Sequence, residues 1–131
     1  MTTAYRLYPT IQHYAWGGIE YIPQWLGLPP DGKPYAEAWY GDHPNHPSNL
    51  LVEDAVIPLN DWIADHAEEA LGLESVQRYG PHLPFLLKVL DVKDMLSIQL
   101  HPDKAGAMAG FKAENNKGIP LTAPHRNYKD D

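Results

Sequence analysis

The sequence contains no cysteine, which excludes both a disulfide framework and a thiolate zinc site. Its 10 Lys and Arg residues are outnumbered by 17 Asp and Glu residues, giving a net charge of −7. Nucleic-acid surfaces need clustered basic residues, so this balance argues against such a partner. The longest apolar run, 83–90, contains Pro84 and Lys88 and is too short to cross a bilayer. Residues 1–6 lack the features of a signal peptide, and we therefore predict a cytoplasmic protein with no membrane partner.

The composition is typical of a globular protein. With 131 residues, of which 44% are hydrophobic and 21% charged, the chain predicts one domain over 1–131 and no separate second domain. The 13 prolines and 10 glycines are scattered along the chain rather than clustered. This distribution indicates short strands joined by turns.

Two segments have helical signals. Residues 60–79 place apolar side chains at helical spacing, with Asn60 or Asp61 as the cap and Gly72 as a break. A second helix is predicted over 103–117, because Asp103 can cap its start and Gly118 stands where a helix stop is expected.

Two strands are predicted between these helices. Residues 85–92 form an apolar strand that bears Lys88, and residues 95–101 alternate strictly between apolar and polar side chains. Residues 91–94 are a plausible hairpin turn between the two. On the second strand one face carries Ser97, Gln99 and His101.

Gln99 and His101 are candidate metal ligands. Alternate side chains on a strand can converge on one ion, and an imidazole suits a borderline cation such as zinc. The same alternation is also what any half-exposed antiparallel strand shows, so spacing alone leaves both interpretations open. A zinc site also needs more ligands than this strand supplies.

Lys88 is the second candidate. A lysine inside an apolar strand either extends to solvent or is paired at a site. If the hairpin forms, Lys88 lies next to Ser97 and Gln99. An ammonium beside a hydroxyl can bind a phosphate group.

Several motifs, in consistent order along the chain, resemble those of type I phosphomannose isomerases (mannose-6-phosphate isomerases). The resemblance covers nearly the whole chain, and agreement over many motifs is far more specific than one short pattern. The main matching segments are 14–18 (YAWGG), 36–44 (AEAWYGDHP), 84–90 (PFLLKVL), 96–104 (LSIQLHPDK) and 126–130 (RNYKD).

The resemblance implies an enzyme that interconverts mannose 6-phosphate and fructose 6-phosphate, an aldose–ketose isomerisation, using zinc. It implies a mainly β fold with short helices, built around a cupin-type β-barrel that is incomplete in this chain. By this resemblance Gln99 and His101 are two of four zinc ligands. Lys88 and Ser97 match positions associated with the substrate phosphate, and Trp16 and Glu37 match positions that line the active-site cleft.

One departure from the family pattern concerns the remaining site residues. In the family, a glutamate ligand follows the motif at 126–130 almost at once, and a second ligand histidine and a functional arginine come much later, so the catalytic groups are expected beyond Asp131. We therefore expect the 131 residues to be a truncated and catalytically impaired form. The alternatives are a non-catalytic module that binds a sugar phosphate or metal, and an independent small β domain whose motifs match by coincidence.

Overall fold

The computed structural model describes residues 4–96, 98, 100–123 and 125–129. The chain forms two compact units, Met1–Leu96 and Ser97–Asp131. The first unit contains two three-stranded antiparallel sheets with three helices, and the second contains one helix. In the described residues these strands do not close into a barrel.

The first sheet has the order β1-β4-β5 and packs against a helix. Its core consists of Leu50, Leu59 and Ile63, which are 6%, 8% and 1% exposed. Burying side chains of this kind stabilises a fold by roughly 1.5–3 kcal/mol each. The strands are β1 (Arg6–Tyr8), β4 (Asn49–Val52) and β5 (Ala55–Pro58), and the helix is α2 (Leu59–Leu71).

The second sheet has the order β2-β3-β6 and carries the candidate site. Its centre strand pairs with both neighbours, so that Glu37 lies opposite Gln12 and Trp39 lies opposite Lys88. Ala38, between them in sequence, points to the other face and is fully buried. The strands are β2 (Thr10–Gln12), β3 (Glu37–Tyr40) and β6 (Leu87–Leu90), and the remaining short helix of this part is α1 (Tyr21–Trp25).

The helical prediction over 60–79 is confirmed as two helices, α2 and α3 (Leu73–Tyr79). Gly72 separates them with φ +81°, a conformation that favours glycine. The predicted cap was wrong: α2 begins at Leu59, before Asn60 and Asp61. The reason is that β5 continues to Pro58 and the backbone N–H of Leu59 donates to the Ser48 carbonyl at 2.8 Å, so the helix starts directly at the sheet edge.

In the second unit the predicted helix is confirmed as α4 (Lys104–Asn116). The Asp103 side chain caps it by accepting a hydrogen bond from the Gly106 N–H at 2.8 Å. Gly118, with φ +69°, follows its end as predicted.

The predicted strand over 95–101 was wrong for the residues that the structure describes there, none of which is in a strand. Met95, Ile98 and Leu100 are 98%, 96% and 94% exposed. An alternating pattern specifies two faces, but a strand also needs a pairing partner and a core for the apolar face. β6 pairs with β3 instead, so the predicted hairpin is not formed by the described residues.

Candidate active site

Lys88, Glu37 and Trp39 form a polar cluster on one face of the second sheet. Glu37 and Trp39 are two residues apart on β3 and share a face, and the strand register places Lys88 beside Trp39. The Lys88 Nζ lies 3.4 Å from Oε2 of Glu37 and 4.4 Å from the centre of the Trp39 ring. The indole N–H of Trp39 donates to the same Oε2. The structure thus brings together two residues predicted separately from the sequence, Lys88 and Glu37.

Burial is unequal within this cluster. The Glu37 side chain is 12% exposed and the Lys88 side chain is 38% exposed. An ammonium has three N–H donors, and the contact with Glu37 can use one of them. Lys88 is therefore a cation fixed by a buried carboxylate and an aromatic ring, on a side chain that is partly exposed.

Trp39 was missed as a site residue by the sequence reasoning. Its ring meets His43 edge-on at 5.1 Å and His46 at 5.7 Å between centroids. His43 and His46 therefore pack against the Trp39 ring, and the Lys88 ammonium lies over the same ring. The signal that could have found it is the two-residue spacing from Glu37, which places both side chains on one strand face.

Trp16 lies in a segment that runs beside the start of β3. Its carbonyl accepts a hydrogen bond from the Lys93 N–H at 3.0 Å, and its ring stacks on Tyr14 at 5.7 Å. The next residue, Gly17, fits so tightly that an added Cβ would lie 2.5 Å from the Ala36 Cα. The backbone of this segment is thereby fixed against Ala36, the residue that precedes β3.

His101 belongs to the second unit and is exposed. It borders a cavity of about 710 Å³. The other polar residues that line this cavity, Asn127, Tyr128 and Lys129, belong to the segment that follows α4. Ser97 and Gln99 lie outside the described residues, so their predicted roles stay predictions. The lining residues are Leu100, His101, Pro102, Ala107, Asn127, Tyr128 and Lys129.

A buried ion pair lies next to the residues that line this cavity after α4. Glu114 and Arg126 are 8% and 4% exposed, with Nε of Arg126 3.8 Å from Oε2 of Glu114. The Glu114 carboxylate accepts the backbone N–H groups of Tyr128 at 2.8 Å and Asn127 at 3.2 Å. The Tyr128 N–H in particular holds the pKa of Glu114 below its ordinary value. Arg126 also donates to the Asn115 side chain at 2.9 Å. Two neighbouring residues of α4, Glu114 and Asn115, therefore hold residues 126–128.

Within the described ranges, no three His, Asp or Glu side chains are grouped as a metal site. The same part of the chain contains no helix of the length and apolar character needed to cross a membrane.

A comparison with known protein families identifies the family of this chain. A family model described as the catalytic domain of type I phosphomannose isomerase matches residues 4–131. The chain therefore belongs to the type I phosphomannose isomerase family. The resemblance predicted from the sequence motifs is confirmed.

Named relatives agree with this assignment. The chain is 40% identical over 129 residues to mannose-6-phosphate isomerase of Escherichia coli (strain K12), covering 95% of this chain and 32% of that protein. The Schizosaccharomyces pombe enzyme is 35% identical over 135 residues, covering 97% of this chain and 29% of the relative. The chain thus spans about a third of the length of the curated relatives it matches.

Solved structures confirm the predicted cupin-type fold class. A mannose 6-phosphate isomerase from Salmonella typhimurium, bound to fructose 6-phosphate and zinc, matches with a TM-score of 0.81 and 38% identity. A zinc-bound form of mannose 6-phosphate isomerase matches with a TM-score of 0.82. Each comparison covers 96% of this chain and 32% of the solved chain.

Proposed function

We propose that this chain carries part of the active site of a mannose-6-phosphate isomerase, which interconverts mannose 6-phosphate and fructose 6-phosphate. The observation that carries the proposal is the Lys88–Glu37 pair, which joins β3 and β6. The sequence resemblance assigns both residues to substrate binding. Membership in the family and the substrate-bound relative support it.

Lys88 is proposed to bind the phosphate of the sugar. Its ammonium is held in place by Glu37 and the Trp39 ring, and the Lys88 side chain as a whole is 38% exposed. A fixed cation loses little side-chain entropy when an anion binds, which favours affinity and orientation. Ser97 is proposed as a phosphate-binding residue, and Trp16 and Glu37 are proposed to line the cleft.

Gln99 and His101 are proposed as zinc ligands. The His101 imidazole is exposed at its cavity, and a neutral imidazole nitrogen is a good zinc donor. Zinc, when bound, supplies Lewis-acid stabilisation of the oxygens on which negative charge develops during aldose–ketose isomerisation. The chain's own contribution is to hold the ligand histidine and the phosphate-binding lysine.

A titration calorimetry experiment tests the phosphate assignment. We expect the 131-residue chain to bind mannose 6-phosphate, and Lys88→Gln to weaken that binding about tenfold or more, because a charge-assisted hydrogen bond is lost. The matched control is Lys33→Gln, since Lys33 is an exposed lysine of the same unit paired with Asp31. Mannose without the phosphate should bind both variants alike.

Equal losses for Lys88→Gln and Lys33→Gln would count against a phosphate site at Lys88. Tight binding of mannose alone would instead favour a module that recognises the sugar without its phosphate.

A further inference from the structure

A cavity between the first sheet and α2 is not used by the function proposed above. Its volume is about 530 Å³, and its lining is almost entirely apolar, with Tyr5, Trp62, Leu71 and Leu83 among the residues that form it. Tyr5 is 37% exposed, so the cavity reaches the surface. Apolar pockets of roughly 300–1,000 Å³ are typical of binding sites, in which a few polar groups decide what binds.

The aromatic wall of this cavity is fixed by contacts within the chain. The Trp62 ring meets Tyr5 edge-on at 5.4 Å between centroids and stacks on His66 at 3.9 Å. Leu59 and Ile63, which belong to the buried core, also line the cavity. An apolar group therefore enters a pocket whose walls are already ordered, which lowers the entropic cost of binding.

The polar part of this surface is acidic. Residues 49–72 contain six Asp and Glu residues and no Lys or Arg, so they carry most of the net charge of −7. In the described part of the chain none of these carboxylates is in a salt bridge, and Glu69 itself lines the cavity. An acidic helix face alone is usually only solvated, but here it adjoins an apolar cavity. The six residues, all exposed, are Glu53, Asp54, Asp61, Asp65, Glu68 and Glu69.

The sign of this charge selects among the possible occupants. Nucleic acids and anionic membrane surfaces are excluded, because both are negatively charged. Pairing of this surface with the same surface of a second copy would bring like charges together. A small organic cation would contact only a few of the carboxylates, which are spread over α2 and the turn between β4 and β5.

We propose that the cavity and the carboxylates around α2 form a docking surface for a basic amphipathic segment of a protein partner. Apolar side chains of the partner enter the cavity beside Trp62, and its Lys or Arg residues lie over Glu69 and the other carboxylates. Amphipathic helices commonly bind grooves in this way, with apolar anchors supplying affinity and charges supplying specificity and a faster association. The proposal does not depend on the function proposed above.

The first experiment titrates the 131-residue chain with synthetic peptides and follows the indole N–H of Trp62 by NMR, with Trp62→Phe assigning the resonance. The probe is a helical peptide with lysine on one face and leucine on the other. One matched peptide replaces leucine by serine, and another replaces lysine by glutamate. We expect the Lys/Leu peptide to shift the Trp62 resonance in a saturable way, and both matched peptides to bind at least about tenfold more weakly.

Trp25, which is 49% exposed and does not line the cavity, is the internal control and should move less. A Trp62 resonance that moves no more than that of Trp25 would overturn the proposal. Equal binding of the Lys/Ser peptide would show that charge alone attracts the probe, and equal binding of the Glu/Leu peptide would show that the acidic residues select nothing. Either result would contradict a docking surface for a basic amphipathic segment.

The second experiment removes the carboxylate that lines the cavity. We expect Glu69→Gln to weaken binding of the Lys/Leu peptide by about two- to fivefold in titration calorimetry, because one exposed ion pair is lost. The matched control is Glu20→Gln, at an exposed carboxylate that does not line the cavity. Equal effects of the two substitutions would count against the proposal. Self-association of the chain in sedimentation that protects Trp62 would assign the cavity to a second copy and would also overturn it.

Discussion

The Nζ of Lys88 lies 3.4 Å from Oε2 of Glu37, across the pairing of β6 with β3. Because the Lys88 side chain is 38% exposed, solvent screens part of the attraction between the two charges. The contact with Glu37 fixes the position of the Lys88 ammonium in the first unit.

Replacing Trp39 by phenylalanine tests how strongly this arrangement depends on the indole. We expect Trp39→Phe to destabilise the chain by about 1–3 kcal/mol, because the buried Glu37 carboxylate loses the N–H that donates to it. The free energy of unfolding in urea measures the effect. Trp25→Phe, at a tryptophan that is 49% exposed, is the matched control and should cost less. Equal losses in the two variants would show that the indole hydrogen bond contributes little.

Substituting alanine for Gly17 tests the close approach that fixes Trp16. An added Cβ would lie 2.5 Å from Cα and 2.6 Å from N of Ala36, both backbone atoms that cannot move aside cheaply. We expect Gly17→Ala to cost about 1–3 kcal/mol in thermal or urea unfolding. Gly41→Ala is the control, since there the nearest atom, at 2.7 Å, is the end of the Leu86 side chain. A Gly17→Ala variant that is as stable as Gly41→Ala would contradict the tight packing described.

Acidification tests the role of Glu114 in the second unit. The Tyr128 N–H lowers the pKa of Glu114 from its ordinary value of 4.5. Because the folded value is depressed, the stabilisation is present above the ordinary value and is lost as the pH falls through the folded value. We expect the backbone amide resonances of Asn127 and Tyr128 to stay constant near neutral pH and to change only below pH 4.5.

The variant Glu114→Gln should alter those amide resonances already at neutral pH and abolish their change in acid. Glu68→Gln, at an exposed residue of α2 in the other unit, is the control. Unchanged Asn127 and Tyr128 amides in Glu114→Gln would show that the carboxylate does not hold this segment.

Zinc binding and turnover test what the 131 residues do alone. Gln99 and His101 are two proposed ligands, whereas a catalytic zinc site ordinarily has three protein ligands and a structural one four. We therefore expect weak zinc binding, which His101→Ala reduces further, and no zinc-dependent formation of fructose 6-phosphate in a coupled assay. Sub-micromolar zinc affinity in equilibrium dialysis, or zinc-dependent turnover that Gln99→Ala abolishes, would contradict this.

Much of the local structure could be predicted from the sequence because its signals are local. The break at Gly72, the Asp103 cap and the stop near Gly118 each depend on residues a few positions away. Family membership was also predictable, since motifs spread over the chain keep their order.

Features that depend on distant pairing could not be predicted. Residues 95–101 alternate as a strand does, but alternation carries no information about whether a partner strand is present. The register of β3 with β6, which brings Lys88 to Glu37, joins residues about 50 positions apart and leaves no local signal. The same holds for Gln12, whose position opposite Glu37 follows from the β2–β3 register alone.

The most direct test of the central claim follows the indole N–H of Trp39 by NMR while mannose 6-phosphate is added. This proton contacts Glu37 beside Lys88, so a phosphate binding at Lys88 should shift its resonance in a saturable way. Trp39→Phe assigns the resonance, and Trp62, which stacks on His66 in α2, is the internal control. A phosphate site at Lys88 predicts a shift at Trp39 that Lys88→Gln removes and Lys33→Gln retains. A Trp39 resonance that stays still, or that moves no more than that of Trp62, would contradict it.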